Sequence, residues 1–328
     1  MQIAELRERV ASTLLRFSGD QWAQMGVFVA TGRNDSWAQD PEALLVFTLE
    51  VGRADPRLFD EVLDWLRANG DLVSARRLSH LSQHDPVRPI VDAAVEWAAA
   101  NGSTLRRGSG TLEPKSEPVR LFRQPGVPGR EDSIFLSHGF VKPVTTPSGK
   151  STPPDLGRPI NLAFRLRRHF GVSARAEIVR FLLTTGVPNA TALAISAAAA
   201  SSKRNVSDAL AELSAAGDVE RFWVGNEARY GINRERWAGF LGLDPLAIPA
   251  HRDWPQLLRA LAELSRWFAR PDLDELSDYL RASEARQLMR SIEPDLLHAG
   301  VSVTDEGTGA DYWPTFVENV ERALDKIA

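Results

Sequence analysis

Residues 173–232 change repeat period part-way along, and that switch limits the folds open to the rest of the chain. The stretch reads SARAEIVRFLLTTGVPNATALAISAAAASSKRNVSDALAELSAAGDVERFWVGNEARYGI. Ile178, Val179, Phe181 and Leu182 recur at helical spacing, with Ser173 as the expected N-cap. Gly186 and Pro188 end that helix, because proline cannot continue it and glycine tolerates the capping conformation. A short second helix is expected over 191–197, and a third from about Ser202 to Ala216, closed by Gly217. The period then falls to that of strands. Val219 to Val224 and Ala228 to Ile232 are rich in β-branched and aromatic residues, joined by the turn pair Gly225-Asn226.

Helix, short helix, turn, helix and hairpin is the order of a winged helix-turn-helix. The run AEIVRFLL…ATALAISAAAASSKRNVSDALAELSAAGDVERFW…ARYGI resembles the winged DNA-binding domain of arsenic-repressor-type (ArsR-like) and multiple-antibiotic-resistance-type (MarR-like) bacterial transcriptional regulators. The most specific part of the likeness is VSDALAELSAAGDVER. In the third helix Val206, Ala209, Leu210 and Leu213 form one stripe, which leaves Arg204, Asn205, Ser207 and Asp208 outward and Ser201, Ser202 and Lys203 at the exposed N-terminal end. The resemblance implies that this helix enters the major groove, where Arg and Asn make paired contacts with base edges. Arg221, Asn226 and Arg229 of the wing would then touch the backbone or the minor groove. Arg165, Arg167 and Arg168, in the basic run NLAFRLRRHF just ahead, are expected on phosphate. The alternative is an adaptor that uses the same fold for protein contacts, since fold alone does not fix function.

Charge favours the first reading. The whole chain is mildly acidic, with 39 basic and 43 acidic residues, yet residues 158–236 hold 12 Lys/Arg against 7 Asp/Glu. A basic segment inside an acidic protein suits a phosphate partner, although Asp208 and Glu227 would repel one. Cysteine is absent, which excludes disulfides, thiolate metal ligands and the cysteine metal box of the arsenic-repressor-type sensors. No run of 18 apolar residues spans a membrane, and the amphipathic start MQIAELRERVASTLL is unlike a signal peptide. Five lysines against 34 arginines suggest a bacterial coding sequence rich in G and C, so a cytoplasmic location is expected.

The flanks read as helical, which makes the expected class mainly α around a central three-helix and hairpin unit. Four segments are expected: a helical region 1–104, a Pro/Gly/Ser-rich linker 105–157 with short strands at 119–123 and 133–136, the winged unit 158–240, and a helical region 241–328. Asp55-Pro56 and Asp85-Pro86 each place an N-cap before a proline at the first helical position. Leu58 to Leu81 also admits a second, wingless helix-turn-helix with Arg76 and Arg77 exposed, although a helical bundle fits better. Pro294 is expected to break the helix after Leu288. The stripes of Trp254–Phe268 and Tyr312–Ile327 are candidates for a homodimer interface, because one recognition helix reads only a few base pairs.

Other constellations carry less. Ser148-Gly-Lys-Ser151 matches the end of a phosphate-binding loop but lacks the earlier glycine and the following helix. His80 and His84 have metal-ligand spacing without a third ligand. Trp22, Trp37, Trp65, Trp97 and Trp267 are expected as core or interface anchors, and Trp223 and Trp313 as places for ligand stacking. No catalytic motif, cofactor or metal is expected, and no effector can be named.

Overall fold

Aspartate, serine and proline set where the helices of the first hundred residues begin. Asp40 caps α2 (Pro41–Val51) by accepting from the Ala43 amide, Asp55 caps α3 (Pro56–Asn69), and Ser74 caps α4 (Ala75–Leu81). Before them runs α1 (Ile3–Gln24), one helix that carries Trp22 without a break. After them comes α5 (Arg88–Ala100), which starts two residues beyond the expected Pro86 because Asp85 closes a turn on the Val87 amide. This computed structural model describes residues 2–29, 37–106, 117–124 and 129–327. The polar run Gly32 to Asp35, which by sequence should separate helices, lies outside them, as do parts of the expected linker.

The described part of 105–157 holds β1 (Val119–Arg120), α6 (Ser133–Ser137) and β2 (Phe140–Val141), with β1 and β2 parallel. The expected strand at 133–136 is therefore a helix, because Asp132 accepts from the Ile134 and Phe135 amides and caps it. Polar contacts fasten this stretch to the helices: Arg123 to Glu50 at 2.6 Å, buried Lys142 to Asp60 at 2.8 Å, and the Thr152 amide to the Gly26 carbonyl at 2.8 Å. Ser148 donates to Glu61 at 2.9 Å, and Lys150 lies over the Phe28 ring, so the Ser-Gly-Lys-Ser segment faces carboxylate and ring.

Next come α7 (Leu162–Phe170), α8 (Ala174–Thr185), β3 (Ala190–Thr191), α9 (Ala192–Ala198), α10 (Lys203–Ala215), β4 (Glu220–Val224), β5 (Glu227–Gly231) and α11 (Arg234–Leu241). The strands form one antiparallel sheet in the order β3-β5-β4, with Phe222 opposite Arg229 and Val224 opposite Glu227. Ser173 holds the N-cap position of α8 as expected, although its hydroxyl donates to the Phe170 carbonyl and makes no capping bond to the helix. The chain closes with α12 (Trp254–Phe268), α13 (Asp278–His298) and α14 (Trp313–Asp325). Pro294 sits inside α13 instead of ending it. It is exposed, so the Arg290 carbonyl that loses its helical donor can be hydrated.

Two apolar clusters divide these elements. Leu166, Ile178, Val179, Leu183, Val206, Leu210, Leu213, Tyr230 and Trp237 belong to the smaller, which spans 162–248. The larger joins the two ends of the chain, with Leu6, Val10 and Leu14 of α1 in the same cluster as Leu257, Leu261 and Leu264 of α12 and Phe316 and Val320 of α14. Each such side chain contributes roughly 1.5–3 kcal/mol on burial. The apolar stripes of α12 and α14 are thus buried within one chain, and those side chains do not form the expected dimer surface. Trp22, Trp65, Trp97 and Trp267 are buried as anchors, and Trp313 packs on Phe316 with ring centroids 5.4 Å apart. The larger cluster, with the elements that pack on it, is called the body below.

Candidate nucleic-acid interface

The outward side of α10 carries the chemistry first. Ser202 accepts from the Asn205 amide and caps the helix, which places Lys203 and Arg204 in its first turn, both exposed. Among the described residues neither side chain has a hydrogen bond or ion pair. That position is unfavourable for the helix itself, since its N-terminal end is electropositive and two cations there each cost a few tenths of a kcal/mol. Ser207 is exposed, and Ser201 and Asn205 are half-buried. Val206, Ala209, Leu210 and Leu213 are buried on the opposite side, as the periodicity implies.

In the hairpin, Arg221 lies over the Trp223 ring at 5.0 Å, and Trp223 is 62% exposed. Asn226 sits exposed in the β4–β5 turn. Arg229 is half-buried: it pairs with the exposed Glu227 at 2.8 Å and donates to the Asn189 carbonyl.

The arginines ahead of α8 are placed differently from the expectation. Arg167 is 3% exposed and forms a bidentate pair with Glu42, 2.7 Å at both oxygens, together with Glu177 at 2.6 Å and the Leu72 carbonyl. It cannot reach a phosphate. Arg165 bonds the carbonyls of Leu156 and Leu241, and Arg168 pairs with Asp71 at 2.9 Å. Arg165 and Arg167 are thereby held within the molecule, whereas Arg168 stays exposed in a surface ion pair.

Arg167 belongs to a buried cluster of three arginines and three carboxylates between the body and the 162–248 unit. From the body come Asp40, Glu42 and Arg77; from the unit come Arg167, Glu177 and Arg180. Arg77 pairs with Asp40 at 2.7 Å and Glu42 at 2.6 Å, and Arg180 with Glu177 at 3.0 Å and Asp40 at 3.4 Å. Burial would raise the Asp40 and Glu177 carboxyls, but the guanidinium groups outweigh it. Arg77 and Arg180 hold Asp40 well below the usual carboxylate range, and Arg167, Arg77 and Arg180 bring Glu177 down to about 2. Arg77 also donates from Nε to the Ala199 carbonyl at 2.9 Å, at the end of α9. The expected exposure of Arg76 and Arg77 thus holds only for Arg76. Ala200 follows with φ +45°, a left-handed residue inside the α9–α10 turn.

His251 lies beside this cluster. Its amide donates to the Thr184 carbonyl at 2.9 Å and its ring meets Phe181 edge-on at 5.0 Å. Burial first, and Arg180 second, lower its pKa to about 4 against the pull of Asp40. The α4 helix ends at Leu81, so His84 falls beyond it, and no group of three or more potential metal ligands exists among the described residues. No helix of the described residues is long and apolar enough to cross a membrane. No family model, curated protein or solved structure matches this chain.

Proposed function

We propose that this chain binds double-stranded DNA through residues 162–248 as a winged helix-turn-helix and acts in transcriptional regulation. In this reading α10 lies in the major groove, with Arg204 and Ser207 at base edges and Ser201, Ser202, Lys203 and Asn205 on the backbone. Arg221 and Asn226 of the hairpin follow the neighbouring phosphates. The observation that carries it is the Lys203–Arg204 doublet, unpaired among the described residues, at the capped start of a 13-residue helix. Cations placed against the helix's own field call for an external anion, and the phosphate backbone supplies one.

The test is fluorescence anisotropy with a labelled generic duplex across a salt series. Binding that weakens linearly in log salt is expected, and Arg204→Ala should cost about 1–3 kcal/mol at a selected site. No binding by the unaltered chain near 50 mM salt overturns the proposal. A second reading, protein assembly without DNA, is favoured by exposed apolar groups on the same unit: Trp223, Val224, Phe240 at 61% and Leu246 at 93%. Pairing of two copies on a pseudo-palindrome would also have to use such surfaces.

A further inference from the structure

A cleft of about 680 Å³ separates α10 from the body. Gly70, Ser74 and Arg76 line its body side, and Ser201, Asn205, Asp208 and Glu212 its α10 side. We propose that it takes one sugar–phosphate strand of the duplex that α10 reads, with Arg76 as the body's phosphate contact. This rests on the function proposed above.

The cleft is ligand-sized, so a single backbone strand enters it while the double helix stays outside. Two of its carboxylates are already occupied: Asp71 by Arg168 at 2.9 Å and Glu212 by Arg175. Glu177 is held in the buried cluster. Asn205, Asp208 and Glu212 stand about one turn apart along α10. Asp208 has no ion-pair partner among the described residues, and Ser201 and Asn205, nearer the helix N-terminus, are the neutral lining on that side. Arg76 is exposed and unpaired among the described residues.

What fixes Arg76 in place is its neighbour. Arg77 is buried, tied to Asp40 and Glu42, and donates to the Ala199 carbonyl just before α10. Of two consecutive arginines on α4, one is therefore pinned to the turn that sets α10, and the other is delivered to the cleft beside it. A body residue held at constant distance from the recognition helix gives a two-sided grip that a free helix would lack.

Anisotropy with the full chain and a generic duplex tests this through the salt slope. Arg76→Gln should lower the slope by about one unit, the change for one lost phosphate contact, and Arg76→Lys should restore it. Arg57→Gln, an exposed arginine on α3 outside the cleft, should leave the slope unchanged. An unchanged slope in Arg76→Gln, beside a weakened Arg204→Ala, overturns the grip and leaves the α10 reading standing. Equal loss in Arg76→Gln and Arg57→Gln also overturns it, since only diffuse charge would then be at work. Absence of duplex binding by the unaltered chain overturns both.

Discussion

Replacing Arg167 with methionine separates a structural arginine from a DNA-binding one. The side chain donates twice to Glu42, twice to Glu177 and once to the Leu72 carbonyl, all at 2.6–3.1 Å. The cluster holds three positive and three negative charges, each less than 5% exposed. Methionine keeps the apolar stem but leaves one uncompensated negative charge in a dry site. Breaking a buried pair from one side costs about 3–5 kcal/mol. At 2–4 °C per kcal/mol, the midpoint of thermal unfolding should fall by roughly 6–20 °C. Circular dichroism at 222 nm follows it. Adding Glu42→Gln to Arg167→Met restores equal charge and should recover part of the loss, with a coupling on the order of 1–3 kcal/mol. In the folded variant the salt slope for duplex should equal that of the unaltered chain. A shift under about 2 °C, or a slope reduced by one unit, would refute the assignment.

Two further outcomes are expected. His251 is held near pKa 4 in the fold and titrates near 6.5 when unfolded, so the unfolded chain takes up the proton first and stability falls as pH drops from about 6.5 to 4. The full effect is up to roughly 3 kcal/mol, and His251→Phe should flatten chemical-denaturation stability across that window; an unchanged pH profile would show that the ring is not neutral by constraint. Ala200→Gly should raise stability by about 0.5–1 kcal/mol, because glycine meets φ +45° without the Cβ conflict. A lower melting temperature would mean that the Ala200 methyl, itself 5% exposed, contributes more through packing than the backbone gains.

The parts of this fold that follow from neighbours in sequence were legible. Ser202, Ser74 and Asp55 each sit before an apolar repeat, and each caps the helix it precedes. The Gly225-Asn226 pair joins β4 to β5. What failed depended on residues far apart. Arg167 reads as a solvated basic residue in LRRHF, and only Glu42, 125 positions earlier, draws it inside. A signal existed: Glu42 stands in PEALLVFTLEV, a helix otherwise almost wholly apolar, and a carboxylate there needs a buried partner. Arg77 went astray for the same reason, its partners lying on α2 and at Ala199. Ser133 to Leu136 holds strand-forming residues, and the Asp132 cap on the Ile134 and Phe135 amides is what makes it a helix.

The larger cluster contains both ends of the chain, and the 162–248 unit leaves and returns to it at one place. The Gln39 amide donates to the Ile160 carbonyl, and the adjacent Ala38 amide to the Ala250 carbonyl, 3.1 and 3.0 Å. Trp37 and Ala250 extend this as a parallel bridge. In topological terms the unit is an insertion with a shared root, unlike a bead at the end of a string. A bead turns about its single tether. A loop whose two feet stand on consecutive residues, with six buried charges beside them, resists twisting in either sense. A load applied at α10 therefore passes through two adjacent attachment points and the buried charges into α2 and the body behind it.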